Sequence, residues 1–199
     1  DPKTNTWSQL PDAPRARDHV QAAMLGDKLY MVGGRNSHAA IGKVLEKTIA
    51  EVDVYDFKTG AWTTLPNGLP TLRAGTCTLT KYPYVIVLQG ESSKQVPAHA
   101  EVEALDVRTN EWVKFPSLLQ GRHGTSTVLY KNKLYIMAGS ANRGGGPERR
   151  GDQGLGREWP KRLAVHATGL GRLAGLAGPA RRLLRQGLRR RRRAHAPIS

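Results

Sequence analysis

The apolar positions of the chain fall in short runs of about five residues, and glycine, asparagine and proline stand between them. "HVQAAML", "LYMVGG", "VDVYD" and "WTTL" are rich in β-branched and aromatic residues and are bounded by turn formers, a pattern that predicts strands. No run reaches the roughly eighteen apolar residues that a helical membrane span needs. Between the third and fourth runs, the turn positions are Asn5, Gly60 and Asn110, the residue types that best tolerate a positive φ. Tight hairpins are expected there, and again at Gly26-Asp27 and Lys131-Asn132. At Lys81-Tyr82-Pro83 the equivalent turn must differ, because proline supplies no amide hydrogen.

The runs recur in a fixed order. "DPKTNTW" at Asp1 returns as "DFKTGAW" at Asp56 and "DVRTNEW" at Asp106, so that Trp7, Trp62 and Trp112 stand 55 and 50 residues apart. Leu10-Pro11, Leu65-Pro66 and Phe115-Pro116 follow the tryptophans. Arg17, Arg73 and Arg122 come next, each 17 residues before a glycine: Gly34, Gly90 and Gly139. Four antiparallel strands in a period of about fifty residues match a propeller blade and not a helical solenoid.

On these motifs the chain resembles the kelch-repeat family, in which an arginine, a Tyr-x-x-Gly-Gly run, a Tyr-Asp before a turn, and a tryptophan follow one another. The resemblance covers residues 1–142 and implies an all-β partial propeller. Residues 1–16 would be the last strand of a preceding blade, 17–66 and 73–116 whole blades, and 122–142 an incomplete one. Gly33 becomes Gln89 and Ala138, and Tyr55 becomes Leu105, while the second glycine and the tryptophan stay unchanged. That constancy suggests a backbone that bends or is closely approached at Gly34, Gly90 and Gly139. It also suggests aromatic filling between blades at Trp7, Trp62 and Trp112. Arg17, Arg73 and Arg122 are expected in the shared core.

In such a sheet the link from second to third strand and the link to the next blade emerge on one side. Those links are the long ones, 35–50 and 91–100, with 67–72 and 117–121 beside them. Long loops in compact domains carry function more often than short ones. Arg35, Asn36, His38, Lys43, Glu46, Glu91, Lys94 and His99 are therefore the candidate binding residues. Ile41, Leu45 and Ile49, at fourfold spacing, suggest a helical turn in the first loop. The family resemblance implies a protein partner, with a glycan as the alternative.

Some kelch-like propellers are copper radical oxidases, whose chemistry needs a cysteine beside a tyrosine together with histidine ligands. The single cysteine, Cys77, lies in the strand "TCTLT", where a small buried hydrophobe is the expected role. His19, His38, His99 and His123 have no partner at metal-ligand spacing. No catalytic residue, metal or cofactor is therefore expected.

Past Asn142 the composition changes. Residues 150–199 hold 12 Arg, 8 Gly, 8 Leu, 7 Ala and 3 Pro, and the net charge divides as +3 over 1–142 and +12 over 143–199. Three readings of this tail stand open. The run Arg189 to Arg193 suits nucleic acid or an anionic surface, held by charge with strong salt dependence. Leu170, Leu173 and Leu176 among arginines suit a membrane-surface helix, though Gly171 and Gly175 weaken it. A misread frame would also write this composition. Having few β-branched or aromatic residues, the tail is expected to be disordered and unable to complete a sheet. The opening on the end of a repeat suggests a piece of a larger protein, and the compartment stays open.

Overall fold

The computed structural model describes residues 1–144 and 166–169. Among them the chain is all-β apart from one 3-10 turn at Ala39–Ile41, and its sheets are antiparallel. The first sheet runs β1 (Gln21–Leu25), β2 (Lys28–Val32), β3 (Val52–Asp56), β4 (Ala61–Thr64), in that order. The second runs β5 (Cys77–Lys81), β6 (Tyr84–Leu88), β7 (Val102–Asp106), β8 (Glu111–Phe115). The third pairs β9 (Thr127–Tyr130) with β10 (Lys133–Ile136), and β10 with β11 (His166–Gly169). Registers repeat: Tyr55 faces Trp62 in the first sheet as Leu105 faces Trp112 in the second. No described helix is long and apolar enough to cross a membrane.

The hairpins turn where the left-handed residues stand. Asn5, Gly60 and Asn110 have φ of 52°, 68° and 59°, and Gly26, Lys131 and Asn132 are positive as well. The recurring aspartate has its own task, because the Asp1, Asp56 and Asp106 carboxylates accept from the amides of Lys3, Lys58 and Arg108 at 2.8–3.0 Å. Each is a side chain that folds its own turn. At the proline-bearing turn the Tyr82–Pro83 peptide is cis.

The sheets pack face to face through two apolar layers. Tyr30, Val32, Val52 and Val54 meet Val85, Val87 and Leu105 between the first and second sheets. Ile86, Leu88, Val102 and Ala104 meet Leu134 and Ile136 between the second and third. β6 lies between both layers and all five of its residues are buried. Main-chain bonds reinforce the packing at equivalent places: Gly34 N donates to Arg73 O at 3.2 Å and Gly90 N to Arg122 O at 2.8 Å.

Residues 1–16 close the turn at Asp1–Asn5, where Thr6 N donates to Asp1 O at 3.3 Å, and Trp7 is 98% exposed. A fourth strand exists only by pairing with a third, and no described segment lies beside this one. One expectation is corrected: in the tail, His166–Gly169 does pair with β10, from Lys133↔Gly169 to Ile136↔His166. Ladder bonds are made by the backbone, so a free strand edge accepts a segment poor in β-branched residues. The rest of the tail, Arg189 to Arg193 included, lies outside the described residues.

Candidate functional site

Beneath the loop-bearing side lies a lattice of arginines that fixes the ends of the strands. Arg17 Nη1 donates to Gly33 O at 2.9 Å, Arg73 Nε to Gln89 O at 2.8 Å and Arg122 Nη1 to Ala138 O at 3.0 Å. Each arginine thereby caps the second strand of its own repeat at the same backbone carbonyl. The first two also reach an acid on the third strand: Arg17 pairs with Asp53, and Arg73 with Glu103 at 2.6 Å, all four side chains being buried. Burial pushes the Asp53 carboxyl up, but hydrogen bonds from Arg15 and Thr64 and the charges of Arg17 and Arg15 outweigh it and hold its pKa low. Burial pulls the Arg17 pKa down despite Asp53. These acids were not among the sequence candidates; their signal was a charge at the second place of the apolar runs "VDVYD" and "VEALD".

The unchanged glycines have a steric cause. A Cβ on Gly34, Gly90 or Gly139 would stand 2.7–2.9 Å from the carbonyl oxygen of Asp18, Ala74 or His123, and φ is 88°, 115° and 76°. Both facts exclude a side chain. The preceding position is also left-handed, yet it holds Gly33, Gln89 and Ala138. Of the tryptophans, Trp62 Nε1 donates to Pro11 O at 2.9 Å and Trp112 Nε1 to Asn67 O at 3.2 Å, each bond reaching back to the segment after the preceding repeat. Trp7 has no such place.

The structure divides the loop candidates. Arg35 and Glu91, each directly after an unchanged glycine, are 4% and 3% exposed and form an ion pair at 2.8 Å. Asp18 lies 3.4 Å from Arg35, and His123 3.5 Å from Glu91. Burial raises the Glu91 carboxyl, but the Gly144 amide, Arg35 and His123 more than reverse this. His99 is buried too, with Nε2 2.8 Å from Ser92 Oγ and Nδ1 3.0 Å from Glu101 Oε2. Burial lowers its pKa in spite of Glu101. Arg35, Glu91 and His99 are thus buried at the loop roots.

Asn36, His38, Lys43, Glu46 and Lys94 are exposed. The first loop is a folded rim: Asn36 N donates to Lys47 O at 3.0 Å, His38 N to Lys43 O at 2.7 Å and Ile49 N to Gly34 O at 2.9 Å. The short helical turn expected in this loop is the 3-10 turn at Ala39–Ile41, and of the residues at fourfold spacing Leu45 is buried and Ile41 exposed. The second loop is flanked by the chain leaving the third sheet, where Ala98 N donates to Ala141 O at 2.8 Å and Arg143 N to Val96 O at 2.7 Å.

Ser92, His99 and Glu101 stand in the order and at the distances of a nucleophile, base and orienting acid. Ser92 is nevertheless buried, and the neighbouring cavity of about 480 Å³ is lined by Glu101, Gln95, Ala98, Gln120 and Asn142, at the acid's end and not the serine's. Ser92 and His99 are thus packed out of contact with that cavity. Cys77 lies in the core between the second and third sheets, its Sγ accepting from Thr127 N at 3.2 Å, and burial raises its thiol. Among the described residues no three His, Cys, Asp or Glu side chains gather as a metal site.

Comparison with known proteins agrees with this geometry. A family model, the KLHDC2/KLHL20/DRC7 Kelch-repeats domain, matches residues 1–139. Kelch-like protein terF of Aspergillus terreus is 29% identical over 139 residues, which is 69% of this chain and 29% of that protein. Kelch repeat and BTB domain-containing protein 2 of Ectromelia virus is 26% identical over 146 residues, 66% of this chain and 25% of that protein. Alpha-scruin of Limulus polyphemus is 23% identical over 143 residues, 69% of this chain and 15% of that protein. The chain thus spans less than a third of the length of these relatives. With an arginine, a fixed glycine and a tryptophan performing the same structural task in successive four-stranded sheets, and with a family model matching most of its length, the chain belongs to the kelch-repeat family.

Proposed function

We propose that this chain is a non-catalytic binding module that presents its two long loops to a protein partner. The observation that carries the reading is the buried Arg35–Glu91 pair, which ties the roots of both loops together across the sheet boundary while leaving their polar tips outside. A preorganised pair of loops loses little conformational freedom on binding. The tips expose Lys43, Lys47 and Lys94 against Glu46, together with His38 and Asn36, a surface suited to an acidic patch on another protein. The oxidase alternative rests on Cys77, which the core holds.

The test is affinity capture from the chain's own source, with the bound protein identified and its affinity measured in purified form. Lys43→Glu with Lys94→Glu should weaken binding at least about tenfold, which is about 1.4 kcal/mol. Lys58→Glu with Lys131→Glu, on the short-turn side, should leave it unchanged. Equal loss from both pairs, or loss only from the second, removes the loop face from consideration.

A further inference from the structure

Repeat equivalence shows where a charge lacks its counterpart. Ala50 O accepts from Leu69 N at 2.6 Å and Ala100 O from Leu118 N at 2.8 Å, so Glu51 and Glu101 hold the same place directly before the third strand of their repeats. Beside Glu51 stands Arg15, its Nε 3.7 Å from the carboxylate. Arg15 lies two residues before Arg17, and the same place before Arg73 is taken by Thr71. Thr71 is uncharged and donates its hydroxyl to Glu103 at 2.8 Å. The second repeat therefore keeps the acid of the first and omits its arginine.

In place of an arginine Glu101 has His99, whose Nδ1 lies 3.0 Å from Oε2. Burial lowers the His99 pKa and keeps the ring uncharged at neutral pH, so the bond orients the carboxylate without cancelling its charge. Arg73, whose charge also acts on Glu101, is already paired with Glu103. Glu101 is the one ionisable residue in the wall of the cavity of about 480 Å³ formed by described residues of the second and third repeats. That volume falls within the range of about 300–1,000 Å³ of ligand pockets. Gln95, Ser117 and Asn142 add neutral polar groups, and Gln95, which donates its amide to Pro97 O at 3.0 Å, keeps its carbonyl oxygen as an acceptor. The main chain sets the wall: Ala98 N donates to Ala141 O at 2.8 Å, and Gly121 lies so close to the Ala98 carbonyl that a Cβ has no room. One negative charge among several neutral acceptors suits a planar cation with many donors.

We propose that this cavity receives an arginine side chain of the protein partner, whose guanidinium pairs with Glu101 as Arg15 pairs with Glu51 within the chain. Its charge matches that of the carboxylate, and its fork of donors matches the neutral acceptors around it. That the arginine belongs to a protein rests on the loop-face reading; the cavity's preference for a guanidinium does not.

The test is a nuclear magnetic resonance titration of the isotope-labelled full chain with the blocked peptide acetyl-Gly-Arg-Gly-amide and, separately, with its citrulline counterpart, which keeps the shape and loses the charge. The arginine peptide should shift the amide signals of Glu101, Ser117, Gln120 and Asn142 in a saturable way, and the citrulline peptide should bind at least about tenfold more weakly. Glu101→Gln, whose side-chain oxygen still accepts from His99, should weaken the arginine peptide at least about tenfold while the rest of the spectrum stays in place. Absence of a saturable shift at these residues in the parent chain overturns the proposal, whether the cavity stays empty or holds residues beyond Gly144. Equal affinity for the two peptides, or unchanged affinity in Glu101→Gln, overturns it as well. Charge-dependent binding of the peptide, together with a partner that Lys43→Glu and Lys94→Glu leave undisturbed, would uphold the cavity and remove only the loop tips.

Discussion

β6 and β10 are the same strand of successive repeats, and the molecule treats them differently. Tyr84–Leu88 is buried on both faces, whereas in Lys133–Ile136 only Leu134 and Ile136 are buried, the residues that look toward the second sheet. The repeat specifies which side chain points at which neighbour; the neighbour decides what that pointing contributes to stability. Identical motif positions should therefore differ in energy according to their place in the fan, and this expectation is open to attack.

The sharpest attack is on the arginines. Arg73→Met leaves Glu103 buried without its partner and should cost about 3–5 kcal/mol. Arg122→Met, which removes hydrogen bonds to the Ala138 and Gly139 carbonyls, should cost about 1 kcal/mol. Urea unfolding of both variants checks the pair, and equal losses would mean that the arginine acts through its own turn alone. Next come the apolar positions: Ile86→Ala should cost about 2–5 kcal/mol, and Met137→Ala, at a position 43% exposed just after β10, less than about 1 kcal/mol. A similar cost at both sites would show that Met137 is covered as Ile86 is.

The glycines give a smaller contrast. Gly90→Ala should lose about 1–3 kcal/mol to the left-handed backbone and the Ala74 carbonyl, while Ala138→Gly should shift stability by less than about 1 kcal/mol in the favourable direction. Thermal midpoints decide between a requirement at the second position only and one at both. The smallest effect is that of pH. The His99 pKa is depressed below its ordinary 6.5, so the unfolded chain takes up a proton first, and stability falls as pH drops below that value toward the folded pKa. The low-lying Asp53 and Glu91 carboxyls add their loss only below the ordinary carboxylate values of 3.8 and 4.5. His99→Asn should flatten the first part of the stability profile and leave the second; an unchanged profile would sever His99 from the acid response.

Strands, turns and repeat register were legible in the chain, because spacing and left-handed residues are local properties. The fate of charges was not. Arg35 and Glu91 read as loop residues since loop length says nothing about two loops from adjacent repeats meeting. The available clue was that opposite charges occupy the same place after the unchanged glycine. Asp53 and Glu103 were hidden in the same way, inside apolar runs that alone say strand. Trp7 shows the converse, a motif residue whose wording matches Trp62 while its surroundings do not, leaving it exposed where Trp62 is bound to Pro11. The four-residue strand β11 was missed because composition weighs side chains and a ladder does not.

The bonds Gly34 N to Arg73 O and Gly90 N to Arg122 O join adjacent sheets through main-chain atoms alone. Beyond the Arg35–Glu91 pair at their roots, the long loops consequently contribute little to the step from one sheet to the next. Foreign segments grafted between Arg35 and Thr48, whose bridge closes the base of the first loop, would inherit the same pitch, which makes this side of the molecule a natural platform for displaying chosen peptides.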